Sequence, residues 1–381
     1  MDLIPTSLYI HIPFCASKCY YCDFNSYVST SDVMDRYLDA LDKELSLLAN
    51  EYNWKPLRTV FFGGGTPTIF NAKQTERMLT ILHRSFKLHE DAEVTVEANP
   101  GTVDLEKLRI LREGGVNRLS FGVQSFDDQL LKRLGRLHDR EQVYQSYEWA
   151  RKAGFSSINL DLMFGLPGQT VELFHESLQR FLTLDPEHLS AYSLKIEEGT
   201  PFANWYDRGQ LTLPPEEDEI EMYTLLREKT MQHGYEMYEI SNFAKEGFAC
   251  EHNQVYWRNE PYLAAGSGAH GYVEGTRYVI EKSVPDYIDK TLQGRRPVVE
   301  SERINERIQQ EDTMILGLRM REGVTYDRFR ERHQIDMLTV FGEEIKKLQD
   351  AGLLEADHRG VRLTEQALLL ANEVFAAFLD T

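Results

Sequence analysis

The 381-residue chain has only four cysteines, and three of them crowd into residues 15–22. So few thiols in a chain of this size exclude a disulfide-built fold and favour metal or cluster ligation. Basic charge is also short: 42 Lys and Arg stand against 61 Asp and Glu, a formal net charge of −19. That balance opposes non-specific nucleic-acid binding, which runs on phosphate neutralisation by basic side chains, and no nucleic-acid partner is expected. No run of 18 apolar residues occurs, so no integral membrane segment is expected. The first 14 residues carry no basic residue ahead of their apolar stretch and no small-residue cleavage site. A secretory signal is therefore not expected, and the cytoplasm is the expected compartment. With 42% apolar and 27% charged residues, the composition is that of a folded chain with room for two or three domains.

What is present is alternation. Strand-like runs at 7–13, 58–62, 93–97, 118–123, 157–163 and 189–196 are separated by helical patterns at 33–49, 74–86, 105–113, 142–152, 171–182 and 217–232. This predicts an α/β fold of six βα units around a parallel sheet, either an incomplete barrel or a doubly wound open sheet. Both architectures gather ligands at the carboxyl ends of the strands. Past about residue 235 the alternation is lost and aromatic, Gly, Asn and His residues accumulate. From residue 300 onward, helices, a short hairpin at 353–364 and a final helix to Leu379 resemble a winged-helix module. That region holds 11 Lys and Arg against 17 Asp and Glu, which favours a structural or protein-contact role over DNA binding. The expected division is 1–235, a connecting segment 236–300, and 301–381.

Cys15, Cys19 and Cys22 can serve one metal centre from a single loop. A structural zinc needs a fourth ligand, for which His11 and His252 are available. A [4Fe–4S] cluster held by three cysteines instead leaves one iron open to an exogenous ligand. The C-x3-C-x2-C triplet resembles that of the radical S-adenosylmethionine (SAM) superfamily. That resemblance implies an incomplete (β/α)6 radical SAM barrel in which SAM chelates the open iron. A reduced cluster then cleaves SAM to methionine and a 5′-deoxyadenosyl radical, which requires a reducing electron donor. The segment Phe62-Gly-Gly-Gly-Thr-Pro67 resembles the family's glycine-rich SAM segment, so Gly64, Gly65 and Thr66 carry over. Glu97, Gln124, Arg136 and Asp161 match further SAM-contacting positions; Tyr9, Tyr21 and Lys195 match more weakly.

The motifs around Tyr9-Ile-His-Ile-Pro-Phe-Cys15, Gly122-Val-Gln-Ser-Phe126 and Asp161-Leu-Met-Phe-Gly-Leu-Pro167 are similar to the oxygen-independent coproporphyrinogen III oxidase branch. That branch contains dehydrogenases, which oxidatively decarboxylate coproporphyrinogen III, and HemW-type haem chaperones. The dehydrogenases carry a fourth cysteine two residues past the triplet, where this chain has Phe24, and an N-terminal extension that is not seen here. His252-Asn-Gln-Val-Tyr-Trp257 resembles the chaperones' HNxxYW motif. The resemblance thus implies a protein that binds haem and passes it to haem-accepting respiratory proteins, with His252 as a haem contact and Tyr256 and Trp257 shaping the pocket. Porphyrin dehydrogenation is the alternative. His270 is a weaker candidate for the same pocket, Cys250 reads as a buried small hydrophobe, and His11 as packing.

Overall fold

Polar and apolar residues alternate along most of the first six strands, which sets the inner and outer faces of a curved sheet. A computed structural model describes residues 4–51 and 55–379. In it β1 (Ser7–Ile12), β2 (Leu57–Gly64), β3 (Leu88–Ala98), β4 (Arg118–Gln124), β5 (Ser157–Phe164) and β6 (His188–Ser193) pair in parallel and in sequence order. One register row runs Glu97, Ser120, Asn159, His188, and the next begins Asp161, Ser190. The intervening residues, among them Ile10, Val60, Val96, Leu119 and Leu160, are fully buried under the helices. Parallel strands covered on both faces usually read as continuous apolar runs, so a polar inner face marks a barrel built around a ligand rather than a packed core.

The covering helices are α1 (Ser31–Glu51), α2 (Ala72–Ser85), α3 (Leu105–Glu113), α4 (Asp128–Arg133), α5 (Arg140–Lys152), α6 (Val171–Leu184), α7 (Pro201–Asp207) and α8 (Glu216–Gln232). Their starts are locally encoded. Asn71 with Gln74 and Asp139 with Gln142 form reciprocal capping boxes, and Asp104 and Thr170 cap α3 and α6.

The connecting segment is built of short elements. Strands β7 (Glu236–Glu239) and β8 (Asn242–Ala244) extend the sheet antiparallel beyond β6, and β9 (Leu263–Ala265) pairs in parallel with β1. The result is one nine-stranded sheet in the order β7-β8-β6-β5-β4-β3-β2-β1-β9. Between β8 and β9 lies the seven-residue helix α9 (Glu251–Trp257). After β9 come β10 (His270–Val273), β11 (Thr276–Ile280), α10 (Val284–Leu292) and β12 (Val298–Arg303); the three strands form a separate antiparallel sheet.

The remainder comprises α11 (Glu306–Gly317), α12 (Tyr326–His333), α13 (Met337–Asp350) and a small sheet of β13 (Val324–Thr325), β14 (Leu354–Ala356) and β15 (Gly360–Leu363). This is the helix-and-hairpin pattern read from the sequence. The single final helix expected there is broken, however, into a 3-10 turn at Gln366–Leu370 and α14 (Ala371–Ala376). Among the described residues no helix is long and apolar enough to cross a membrane.

Candidate functional site

The cysteine loop leaves β1 and is pinned on three sides. Cys15 N donates to Tyr27 O at 3.0 Å, Tyr20 N donates to Leu134 O at 3.0 Å, and Phe202 N donates to Tyr20 O at 3.0 Å. The three thiols line one cavity of about 380 Å³ at the carboxyl end of the barrel strands. Cys15 Sγ lies 3.5 Å from Thr66 Oγ1, and Arg136 Nη1 donates to Cys19 Sγ at 3.5 Å. Burial pushes the Cys22 thiol up to about 11, a cost that bonding to a positive metal centre would offset.

Neither histidine considered for closing a zinc site is free. Tyr9 OH and the Asn25 carbonyl lie 2.9 Å from His11 Nδ1 and Nε2, respectively. Among the described residues no three His, Cys, Asp or Glu side chains are gathered as a single metal ion would require. Three loop thiols facing one cavity fit a cluster with one open iron.

The glycine-rich turn after β2 is dictated by closeness. Gly64 has φ 109°, and a Cβ there would sit 2.5 Å from the His11 ring; a Cβ on Gly65 would sit 2.6 Å from the Phe14 carbonyl oxygen. The turn therefore lays bare backbone against the cysteine loop. Gly64 N in turn donates to Glu97 Oε2 at 3.0 Å.

The same cavity collects Tyr21, Glu97, Gln124, Arg136, Asp161 and Lys195, so eleven of the twelve cysteine, glycine-turn and SAM-contact residues carried over from the resemblance, Lys195 aside, are joined by it. Tyr9 is the exception among the SAM contacts: it faces a neighbouring cavity of about 490 Å³ that also borders Gly64 and Glu97. Arg136 is held by Asn99 Oδ1 and the Gly122 carbonyl, and Asn99 Nδ2 donates to Thr66 Oγ1 at 2.7 Å. Gln124 adopts φ 69°, an unfavourable conformation for a non-glycine residue, and its Oε1 is buried without a partner. Such a strained, unsatisfied group at a cavity wall is arranged for a ligand. Lys195 is drawn aside to Glu197 at 2.9 Å.

Burial and the nearby Asp161 push the Glu97 carboxyl up to about 8, while burial pushes Asp161 to about 6. A carboxyl whose folded-state pKa is raised binds more protons folded than unfolded. Its contribution to stability is full below the ordinary carboxylate range and is lost as pH rises through about 8. The ligand-free protein is therefore expected to lose stability between about pH 5 and 8, and Glu97→Gln to flatten that slope. Denaturant midpoints across this range check it; equal slopes in the two proteins would remove Glu97 as the source.

Three further residues shape the site, of which only Glu93 escaped the sequence reading. Asn99 bridges the glycine turn and Arg136. Arg118, 3% exposed, lies at the inner end of the cavity with Nε unbonded and Glu93 4.0 Å away. Glu93 in turn organises α9: its carboxylate accepts from Glu251 N and His252 N at 3.0 Å each and from Cys250 Sγ at 3.5 Å. Cys250 itself gives this helix no side-chain cap, so a residue some 160 positions earlier in the chain supplies it. Asn99 is legible in the sequence as a polar residue just past the third strand and Arg118 as a basic residue at the start of the fourth, whereas nothing local identifies Glu93.

The HNxxYW segment is divided between two compartments. Asn253 borders the barrel cavity, whereas Tyr256 and Trp257 line a separate cleft of about 930 Å³. His252 faces neither. It is 0% exposed, stacks on Phe61 at 5.2 Å, and has Thr59 Oγ1 2.8 Å from Nδ1 and Tyr256 OH 2.8 Å from Nε2. With both nitrogens taken, the ring braces Tyr256 from behind, and the direct haem contact expected of His252 is not open in this arrangement. Burial and Arg118 lower its pKa to about 3, so it is neutral.

Comparison with known proteins accords with this geometry. The Radical SAM superfamily matches residues 9–181 and the HemN C-terminal domain residues 306–370. Heme chaperone HemW of Bacillus subtilis is 46% identical over 98% of this chain and 99% of its own length. Heme chaperone HemW of Lactococcus lactis is 39% identical over 98% and 97%. The Escherichia coli coproporphyrinogen III oxidase HemN, a radical SAM enzyme, superposes with a TM-score of 0.85 at 26% identity, over 98% of this chain and 90% of that one. With its three-thiol loop facing a polar barrel interior and near full-length identity to these relatives, the chain belongs to the HemW family of the radical SAM superfamily.

Proposed function

We propose that this protein is a haem chaperone of the cytoplasm that carries a [4Fe–4S] cluster and SAM and passes haem to respiratory haem proteins. The observation that carries the reading is the near full-length identity to proteins named heme chaperone HemW. In support, Tyr256 and Trp257 of the HNxxYW segment open onto an aromatic cleft outside the barrel. Cys15, Cys19 and Cys22 hold the cluster. Gly64, Gly65 and Thr66 present backbone and hydroxyl groups to the SAM methionyl end, with Arg136 as the cation for its carboxylate. Glu97, Gln124 and Asp161 supply acceptors for its ammonium and ribose hydroxyls, and Tyr21 covers the site from the cysteine loop. When bound, cluster and SAM supply reductive cleavage chemistry, for which an electron donor is needed.

The likeness to HemN supports a second reading, coproporphyrinogen III dehydrogenation. Against it, the residue two past the triplet is Phe24, 58% exposed and without a metal-binding atom. An anaerobic assay of cluster-reconstituted protein with SAM, reductant and coproporphyrinogen III separates the two. The expected result is haem binding with no protoporphyrinogen formed over many turnovers. Sustained product would establish the dehydrogenase.

A further inference from the structure

We propose that His270 is the haem-iron ligand of this protein, and that the cleft between the β10–β12 sheet and the end of α9 holds the macrocycle. The inference rests on the haem-chaperone reading and assigns its site. Register places the ligand: His270 is paired with Val279 and Val279 with Glu300, while Tyr272 is paired with Arg277 and Arg277 with Glu302. Directly paired residues share a face. The face carrying these two rows lines the 930 Å³ cleft, opposite Tyr256, Trp257 and Tyr262.

The walls suit a large flat aromatic ligand. Tyr256 and Tyr262 meet edge to face at 4.6 Å, and Val279 and Leu316 add aliphatic surface. The imidazole suits the iron. His270 is exposed and its ring makes no hydrogen bond among the described residues, whereas His11 and His252 have both ring nitrogens engaged. An imidazole with a ring nitrogen left free can ligate haem iron. Charge sets the orientation. Glu300 and Glu302 repel propionates from the β12 edge, so the carboxylates turn toward Lys282, which with His270 borders the adjoining cavity. Because His270 borders both spaces, haem held there lies next to the side of the barrel where Tyr9 and Glu97 stand.

Hemin titration of the full-length protein tests this, read by the Soret band and by electron paramagnetic resonance of the ferric form. His270→Ala is expected to weaken binding about ten-fold or more and to abolish the histidine-ligated signature. His270→Gly is expected to regain that signature on adding free imidazole, while His358→Ala, at the exposed β14–β15 turn, leaves it unchanged. Wild-type affinity and spectrum in both His270 variants would overturn the assignment while leaving the chaperone reading intact. A wild-type protein that binds no hemin would overturn the reading itself.

Discussion

The Cys15→Ala, Cys19→Ala, Cys22→Ala variant, reconstituted anaerobically, is expected to contain neither iron nor sulfide and to show no visible absorbance, and each single substitution to lose most of both. The His and Cys side chains that might replace them are engaged: His11 is bonded at both nitrogens, His252 is enclosed behind Tyr256, and the Cys250 thiol is tied to Glu93. Folding should survive, because the loop is held by backbone hydrogen bonds to Tyr27, Leu134 and Phe202 that do not involve the thiols. Circular dichroism and iron and sulfide analysis on the same samples check both halves. Wild-type cluster content in the triple variant would end the ligand assignment.

The largest loss of stability is expected at Glu44, in the middle of α1. This carboxyl is 0% exposed; its Oε2 accepts from Gly266 N at 2.8 Å and from Tyr287 OH at 2.6 Å, joining α1 to the turn after β9 and to α10. Tyr37 works alongside it, donating to the His11 carbonyl at 2.6 Å and accepting from Ser267 N at 3.3 Å. Glu44→Ala leaves two buried donors without acceptors, each worth ~1–3 kcal/mol, for a loss of about 2–5 kcal/mol. Glu44→Gln keeps an acceptor oxygen and should recover a good part of it. Urea midpoints at unchanged m-values give the comparison, and a Glu44→Ala loss below about 0.5 kcal/mol would show that the network carries no weight.

The first six strands and the helices between them were readable because each is long enough to show its period; strand starts such as Arg118 and Ser157 agree to the residue. The cysteine loop, the glycine turn and the strand-end polar residues were readable through their resemblance to a known motif set, and eleven of the twelve residues so expected line one cavity. What escaped depends on distant partners. Strands β8 and β9 have three residues each and join the sheet by pairing with β6 and β1, from which long stretches of chain separate them. Helices α4 and α7 are too short to show a period. The HNxxYW segment was recognisable as a motif, but which of its side chains meet solvent depends on Glu93 and Thr59, which no local pattern links to it.

Helix α9 has a thermodynamic consequence. Its seven residues stand between two compartments, with Asn253 on the barrel side and Tyr256 and Trp257 on the cleft side, and its first turn hangs on Glu93 of β3. A displacement of this partition by an occupant of one compartment alters the walls of the other. Linkage then makes the influence mutual: the factor by which SAM in the barrel changes affinity for a ligand in the cleft equals the factor by which that ligand changes affinity for SAM.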